Sequence, residues 1–138
     1  MQLTSDGQYL FFGSGVIGDP KHITKFSVDK NEVVEKLEDP ALEEEMHSIA
    51  LSLDSSSLYV GTRDKLLQLS LVDGKVIQSR NIKERPEMQG AVISAMRVTR
   101  DNQYLVTCTM YVGNPEKGTE EYLSGKKYVY SGGPVCVW

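Results

Sequence analysis

The sequence lacks the features that mark several large classes of protein. No uninterrupted apolar run exceeds four residues, as in Tyr9 to Phe12, whereas a membrane-spanning helix needs about 20. The two cysteines, Cys108 and Cys136, show no C-x-x-C spacing and are too few for a disulfide framework. Neither an Asn-x-Ser/Thr sequon nor a charged and apolar leader after Met1 is present. We therefore expect a cytoplasmic protein without membrane contact, in a setting compatible with a cytoskeletal or other large assembly.

A strong excess of either charge is also missing. The 138 residues include 15 basic and 19 acidic side chains, a formal net charge of −4, with 40% hydrophobic and 25% charged residues. This balance gives no sequence-independent attraction for nucleic acid, so we expect no nucleic-acid partner. The length and composition are those of one ordinary soluble domain.

One pattern suggests a cofactor, the G-x-G-x-x-G spacing of Gly13, Gly15 and Gly18. In a dinucleotide-binding loop, a helix opens at the third glycine. Here an Asp-Pro pair follows at once and apolar alternation resumes at Ile23, which leaves no room for a helix. The segment is therefore predicted to be a glycine-rich hairpin between two strands, and no cofactor is expected.

An internal repeat of about 47 residues organises the chain. Three segments align: 1–15 (MQLTSDGQYLFFGSG), 49–63 (IALSLDSSSLYVGTR) and 96–110 (MRVTRDNQYLVTCTM). Their aspartates, Asp6, Asp54 and Asp101, are spaced by 48 and 47 residues. Each aspartate opens a polar turn between two apolar strands. Periods of about 40–45 residues are typical of propeller blades with four strands.

The second half of each unit repeats as well. Phe26, Leu69 and Trp138 occupy one position in the third strand, and a fourth strand follows at 33–37 and at 76–82. Each full unit is therefore predicted to be four short antiparallel strands, and the fold to be all-β. Helical periodicity is nearly absent; only segment 41–47 could form a single helical turn.

At the level of motifs, the sequence resembles the WD-repeat β-propeller family. The resemblance is clearest in SIALSLDSSSLYVGTRDKLLQLSL and in the closing VCVW, and it covers essentially the whole chain. Asp64 and Trp138 occupy the family's turn Asp and strand-ending Trp, whereas no Gly-His dipeptide precedes any unit. The segment SSSLYVGT is also similar to repeats of quinoprotein-like and lactonase-like propellers. The resemblance implies a propeller segment of about three four-stranded antiparallel blades.

The predicted blades span 1–39, 48–82 and 92–138, the last with a hairpin insertion at about 110–134. Blade three is predicted to be incomplete, because Trp138 ends its third strand. Such a segment cannot close a propeller, which needs typically four to eight blades. We therefore expect it to belong to a longer propeller or to complete one with another chain, and to associate through apolar blade faces when isolated.

No catalytic constellation is recognisable. The candidate inner strands, at 1–4, 49–53 and 96–99, contain no His, Asp or Glu, so they offer neither metal ligands nor a general acid or base. Glu43 and His47 are four residues apart and could share one face of a helical turn. Two ligands alone make a weak metal site, and a solvated acidic loop is favoured instead; no metal or catalytic residue is assigned.

The connections between strands are the distinctive part of the chain. The two links between blades are acidic (38–45) and basic (83–86), and the connections near 16–22 and 110–134 are long. In WD-repeat propellers such segments emerge on one face of the disc. Charges and tyrosines on a rigid scaffold suit protein recognition. The candidate partner-binding residues are Asp19, His22, Glu43, Glu44, Glu45, Lys83, Arg85, Tyr111, Lys117, Glu120, Tyr122, Lys126, Lys127 and Tyr128.

The sequence thus favours a non-catalytic scaffold for protein–protein interaction, with other proteins or further blades of the same propeller as partners. The alternative is a propeller domain of an enzyme, or fused to one, such as a quinoprotein-like oxidoreductase or a hydrolase. Its active site would then lie outside this segment. A third hypothesis is docking by strand addition at an open edge.

Overall fold

The computed structural model describes residues 1–13, 21–42, 44–113, 124 and 129–138. Its strands in chain order are β1 (Gln2–Leu3), β2 (Tyr9–Gly13), β3 (Ile23–Ser27), β4 (Glu32–Leu37), β5 (Met46–Leu51), β6 (Ser57–Thr62), β7 (Lys65–Ser70), β8 (Val76–Asn81), β9 (Ala91–Val98), β10 (Leu105–Gly113) and β11 (Val129–Val137). Eight of the predicted site residues lie outside the described residues: Asp19, Glu43, Lys117, Glu120, Tyr122, Lys126, Lys127 and Tyr128.

The strands form three antiparallel sheets in which sequential strands are neighbours. The first has the order β1-β2-β3-β4 and the second β5-β6-β7-β8; the third has three described strands in the order β11-β10-β9. We call these sheets blades one, two and three. The predicted all-β fold, a propeller segment of about three blades with the last incomplete, is confirmed.

The repeated aspartate closes the turn between the first and second strands in the same way in all three blades. In blade two, the Asp54 carboxylate accepts hydrogen bonds from the Ser52 hydroxyl at 2.6 Å and the Ser56 N–H at 3.1 Å. Asp6 and Asp101 accept the equivalent bonds from the threonine two residues earlier and the N–H two residues later. The residue after each aspartate has positive φ, at Gly7, Ser55 and Asn102.

The third-strand alignment of Phe26, Leu69 and Trp138 is also confirmed by strand register. Phe26 pairs with Leu10, and Leu69 pairs with Leu58. Trp138 exchanges both backbone hydrogen bonds with Leu105. Each partner lies four residues after the repeated aspartate, so the three units have the same register from the first turn to the third strand.

Each blade presents a row of apolar residues that we call its leading row. The rows are Leu3, Leu10, Phe26 and Val33 in blade one; Leu51, Leu58, Leu69 and Val76 in blade two; Val98, Leu105 and Trp138 in blade three. The row of blade two packs with Phe11, Ile23 and Leu37 of blade one. The row of blade three packs with Ala50 and Leu66 of blade two. The core therefore lies between blades, where one sheet face buries against the next.

The predicted helical turn over 41–47 is wrong in its placement. A short 3₁₀ helix covers Pro40–Leu42 instead, and β5 begins at Met46, so His47 is a strand residue. The Asp39 carboxylate accepts a hydrogen bond from the Ala41 N–H, which fixes the 3₁₀ turn. Two further 3₁₀ helices, Ile82–Glu84 and Pro86–Met88, occupy the second link. None of the helices within the described ranges could span a membrane.

The hairpin of blade three is longer than that of blade two. Strands β10 and β11 have nine residues each, against six in β6 and β7. They stay paired up to Gly113 and Val129, with a register shift near Cys108. The pairing therefore continues well into the segment that was predicted as an insertion, whose tip lies outside the described residues apart from Ser124.

Candidate partner-binding face

Both links between blades contact the tight turn between β6 and β7. Glu44 of the first link accepts a hydrogen bond from the Asp64 N–H at 3.2 Å. Ile82, at the start of the second link, donates its N–H to the Asp64 carbonyl at 2.9 Å. The described parts of the two links therefore lie on the same side of blade two as this turn. We call the described residues of the links 38–45 and 82–90, together with residues 63 and 64, the loop face.

Glu44 binds the ends of the two strands that this turn joins. One of its carboxylate oxygens lies 2.5 Å from the Thr62 hydroxyl, and the other lies 3.1 Å from the Lys65 ammonium. Partial burial opposes ionisation of this carboxyl, but the bonds from Thr62, Lys65 and the Asp64 N–H outweigh it and lower the pKa of Glu44. The expected solvated acidic loop is thus wrong for Glu44, which is half-buried and anchors the link.

The second link is attached at both of its ends. The Lys83 ammonium lies 2.5 Å from the Ala91 carbonyl and 3.6 Å from an Asp64 carboxylate oxygen. The Asn81 side chain accepts from the Lys83 N–H and caps the first 3₁₀ helix. Lys83, predicted as a partner-binding residue, therefore also connects the turn of blade two to the first strand of blade three.

Arg85 and Tyr111 connect the middle of this link to blade three. The guanidinium of Arg85 stacks over the Trp138 ring, 4.1 Å from its centroid, where a cation–π attraction holds it. The Trp138 indole N–H donates to the buried Thr107 hydroxyl at 3.0 Å. The Tyr111 hydroxyl donates to the Glu87 carbonyl at 3.0 Å. These contacts fix the shape of the link from both sides.

The structure brings four of the predicted site residues into one connected set: Glu44, Lys83, Arg85 and Tyr111. Glu45, next to Glu44, is exposed. His22 is half-buried just before β3. That these residues bind a partner protein remains a prediction.

Sequence reasoning missed the residues that hold the loop face together. The sequence indicates Asp64 only as a turn residue, and it carries no signal for the contacts of Thr62 and Lys65 or for the stacking of Arg85 on Trp138. The spacing of an acidic link before a Thr-x-Asp-Lys turn was the available signal for Glu44. That signal is weak, because the two segments are separated by about 18 residues and meet only in the folded chain.

The inner strands require one correction. Strand β5 includes His47, so the expectation that the inner strands contain no His, Asp or Glu is wrong. His47 is half-buried and the residue before it, Met46, packs against blade one. Within the described ranges, no three His, Cys, Asp or Glu side chains are close enough to hold a metal ion.

Comparison with known proteins assigns the fold. No protein-family profile matches the sequence, and no curated protein does either. One of many matching solved structures is the crystal structure of the Cps50 (Swd1) β-propeller domain of Myceliophteria thermophila. The match has a TM-score of 0.60 and 14% identity, and covers 95% of this chain but 37% of that chain.

The protein is therefore a β-propeller segment. The likeness, at 14% identity, concerns the fold, and it agrees with the WD-repeat resemblance of the sequence. The chain spans about 37% of the length of the matched domain.

Proposed function

We propose that this propeller segment is a non-catalytic scaffold in a cytoplasmic assembly, and that its loop face binds a partner protein. The observation that carries the proposal is the anchoring of both links to one turn through Glu44 and Asp64. A surface that is fixed before binding loses less conformational freedom when a partner docks.

The chemistry of the loop face supports a protein partner. Its exposed side chains carry both signs of charge; Glu45 and Glu84 are acidic and Arg63 is basic. Interspersed charges of opposite sign favour a partner with a complementary pattern and disfavour uniform polyanions. The rigid blade sheets below the links are the kind of support on which recognition loops are usually displayed.

Quantitative affinity capture with charge-swapped variants tests the proposal. The loop-face variant combines Glu45→Lys with Arg63→Glu, and the control combines Asp29→Lys with Lys30→Glu in the β3–β4 turn. Both variants keep the net charge, and all four residues are exposed. We expect the wild type and the control to capture equal amounts of partner proteins. The loop-face variant should capture about tenfold less of them, or even less than that.

Circular dichroism and thermal melts of all three proteins serve as the control for an intact fold. Equal loss of partners from both variants, or loss from neither, would contradict binding at the loop face. Catalytic turnover by the purified segment would contradict the non-catalytic part of the proposal.

A further inference from the structure

The tight turn between β6 and β7 contains one peptide group that is bonded at both of its ends. The Asp64 carbonyl accepts the Ile82 N–H of the second link at 2.9 Å. The N–H of the same peptide group, that of Lys65, donates to the Thr62 hydroxyl oxygen at 3.0 Å. A peptide group is planar, so its carbonyl and its N–H turn together. The direction of the Lys65 N–H therefore fixes the direction of the carbonyl that binds Ile82.

The Thr62 hydroxyl is in turn oriented by the first link. It donates its proton to the Glu44 carboxylate at 2.5 Å. A second acceptor, the Lys65 carbonyl, lies 3.2 Å away. A hydroxyl has one proton to donate, and a close carboxylate is the stronger acceptor. Glu44 thus sets the orientation of the oxygen that binds the Lys65 N–H.

Burial makes these bonds difficult to replace by bonds to water. Thr62 and Ile82 are both 0% exposed. Where water is excluded, a polar group that loses its partner is left unsatisfied, and hydrogen bonds in series strengthen one another. We call the series of three bonds between the two links the relay; it runs from Glu44 to Thr62, from Thr62 to Lys65 and from Asp64 to Ile82.

Two ion pairs also connect the turn with the links, but they are more exposed than the relay. The Lys65 ammonium lies 3.1 Å from Glu44, and 43% of the Lys65 side chain is exposed. The Lys83 ammonium lies 3.6 Å from Asp64, whose side chain is 51% exposed. Pairs exposed to this degree contribute little to stability, because water screens them. The relay is therefore the stronger connection between the two links.

We propose that the relay couples the two links, so that loosening one link loosens the other. When the Glu44 carboxylate is lost, the Thr62 hydroxyl is free to turn. The peptide group between Asp64 and Lys65 then turns as well, which weakens its bond to Ile82. Coupling between two sites at equilibrium acts with equal strength in both directions. A partner protein that orders one link would thus order the other, and this consequence alone rests on the proposed function.

Hydrogen exchange of single amides in the partner-free 138-residue protein, followed by mass spectrometry, tests the coupling. Glu44→Ala removes the acceptor of the Thr62 hydroxyl, and Glu45→Ala is the matched control at the exposed neighbouring position. We expect the Ile82 amide to exchange at least about fivefold faster in Glu44→Ala, the effect of losing one hydrogen bond. Glu45→Ala should stay within about twofold of the wild type.

Two amides at the opposite end of the strands separate coupling from general destabilisation. The Leu71 N–H donates to the Ser56 carbonyl at 2.9 Å. The Thr99 N–H donates to the Tyr104 carbonyl at the same distance. A general loss of stability would accelerate exchange at these amides as much as at Ile82. An equal increase at all three amides in Glu44→Ala, or no increase at Ile82, would overturn the proposal.

Two further substitutions identify the route of the coupling. Thr62→Val removes the hydroxyl, and combining it with Glu44→Ala should accelerate Ile82 exchange no more than the stronger single variant, because both interrupt one relay. Asp64→Asn removes the ion pair with Lys83 but keeps the backbone carbonyl, so Ile82 exchange should stay within about twofold of the wild type. Multiplied effects in the double variant, or an effect of Asp64→Asn as large as that of Glu44→Ala, would refute the relay.

A variant at the second link tests the reverse direction. The Asn81 side chain accepts the Lys83 N–H, and Asn81→Ala removes this cap. We expect the Asp64 N–H, which donates to Glu44, to exchange at least about threefold faster in Asn81→Ala than in Ser79→Ala, an exposed position of the same strand. These measurements involve no partner, so partner capture decides the proposed function separately. Equal Asp64 exchange in the two variants would contradict reciprocal coupling of the links.

Discussion

At the scale of single residues, the repeated aspartate gives three different sequences the same turn. Each carboxylate accepts a bond from a hydroxyl two residues before it and from an N–H two residues after it. The three side chains are exposed, so they stabilise the turn through these local hydrogen bonds and not through burial in the core. The same pattern appears as S/T-x-D in all three units of the sequence, which is why the turns could be predicted.

These bonds make stability depend on pH in the acid range. The Ser52 hydroxyl, followed by the Ser56 N–H, lowers the pKa of Asp54, and the equivalent groups of Thr4 and Thr99 lower the pKa of Asp6 and Asp101. The ionised form is therefore favoured in the fold. Its stabilising effect is complete above the unfolded pKa of about 3.9 and is lost as pH falls through the lower folded pKa.

The free energy of unfolding of the wild type should fall between pH 5 and pH 2.5. We expect this fall to be smaller in Asp54→Asn. Urea denaturation at a series of pH values measures this loss. Asp29→Asn, at an exposed position in another turn, is the control and should leave the pH dependence near that of the wild type. A wild-type pH profile for Asp54→Asn would contradict the assigned role of its carboxylate.

A second prediction at this scale concerns the adjacent pair Glu44 and Glu45. Glu44→Gln should lower the free energy of unfolding by roughly 1 to 2 kcal/mol, because a carboxylate that accepts bonds from Thr62 and Lys65 is replaced by a neutral amide. Glu45→Gln, one residue later and exposed, should change it by less than about 0.5 kcal/mol. Thermal or urea denaturation measures both, and equal effects would refute the anchoring role of Glu44.

At the scale of elements, a glycine in the second strand sets how closely successive blades approach. A Cβ on Gly61 would lie 2.9 Å from the Ser48 hydroxyl and 3.0 Å from the Ile93 Cβ, in the first strands of blades two and three. A Cβ on the equivalent Gly13 would meet the terminal methyl of Met46 at 3.0 Å. Ile93 is fully buried and branched, whereas a methionine side chain can move aside.

Gly61→Ala should therefore destabilise the protein by about 1 to 3 kcal/mol, and Gly13→Ala by distinctly less. The contrast isolates the fit between blades, because both substitutions remove a glycine from the same position of a second strand. Paired denaturation curves measure it. A larger effect at Gly13 than at Gly61 would contradict the role assigned to close packing.

The elements also show how far the sequence could predict the structure. The register of Phe26 with Leu10, and of Leu69 with Leu58, could be predicted because each pair belongs to one repeat unit. The start of β5 at Met46 could not be predicted, because three glutamates precede it and mask the strand pattern. The loop-face contacts of Glu44 escaped prediction because they form between segments that no local pattern relates.

At the scale of the whole molecule, the three leading rows differ in how they are covered. In blades two and three the row packs on the preceding blade, so that Leu58 and Leu69 are fully buried and Leu105 is 5% exposed. In blade one, Leu3 and Val33 are 54% and 53% exposed. An apolar row that two blades bury and the third exposes favours association of the isolated segment.

The isolated 138-residue segment should accordingly self-associate as its concentration rises, through the leading row of blade one. Leu3→Thr combined with Val33→Thr should shift this association to concentrations at least about tenfold higher, because it removes apolar surface from the row. The control combines Val72→Thr with Ile77→Thr, which are 92% and 59% exposed but lie outside the leading rows. Sedimentation velocity and light scattering over a concentration series measure the effect. A monodisperse monomer at all concentrations, or equal effects of the two double variants, would contradict the assignment of this row as the associating face.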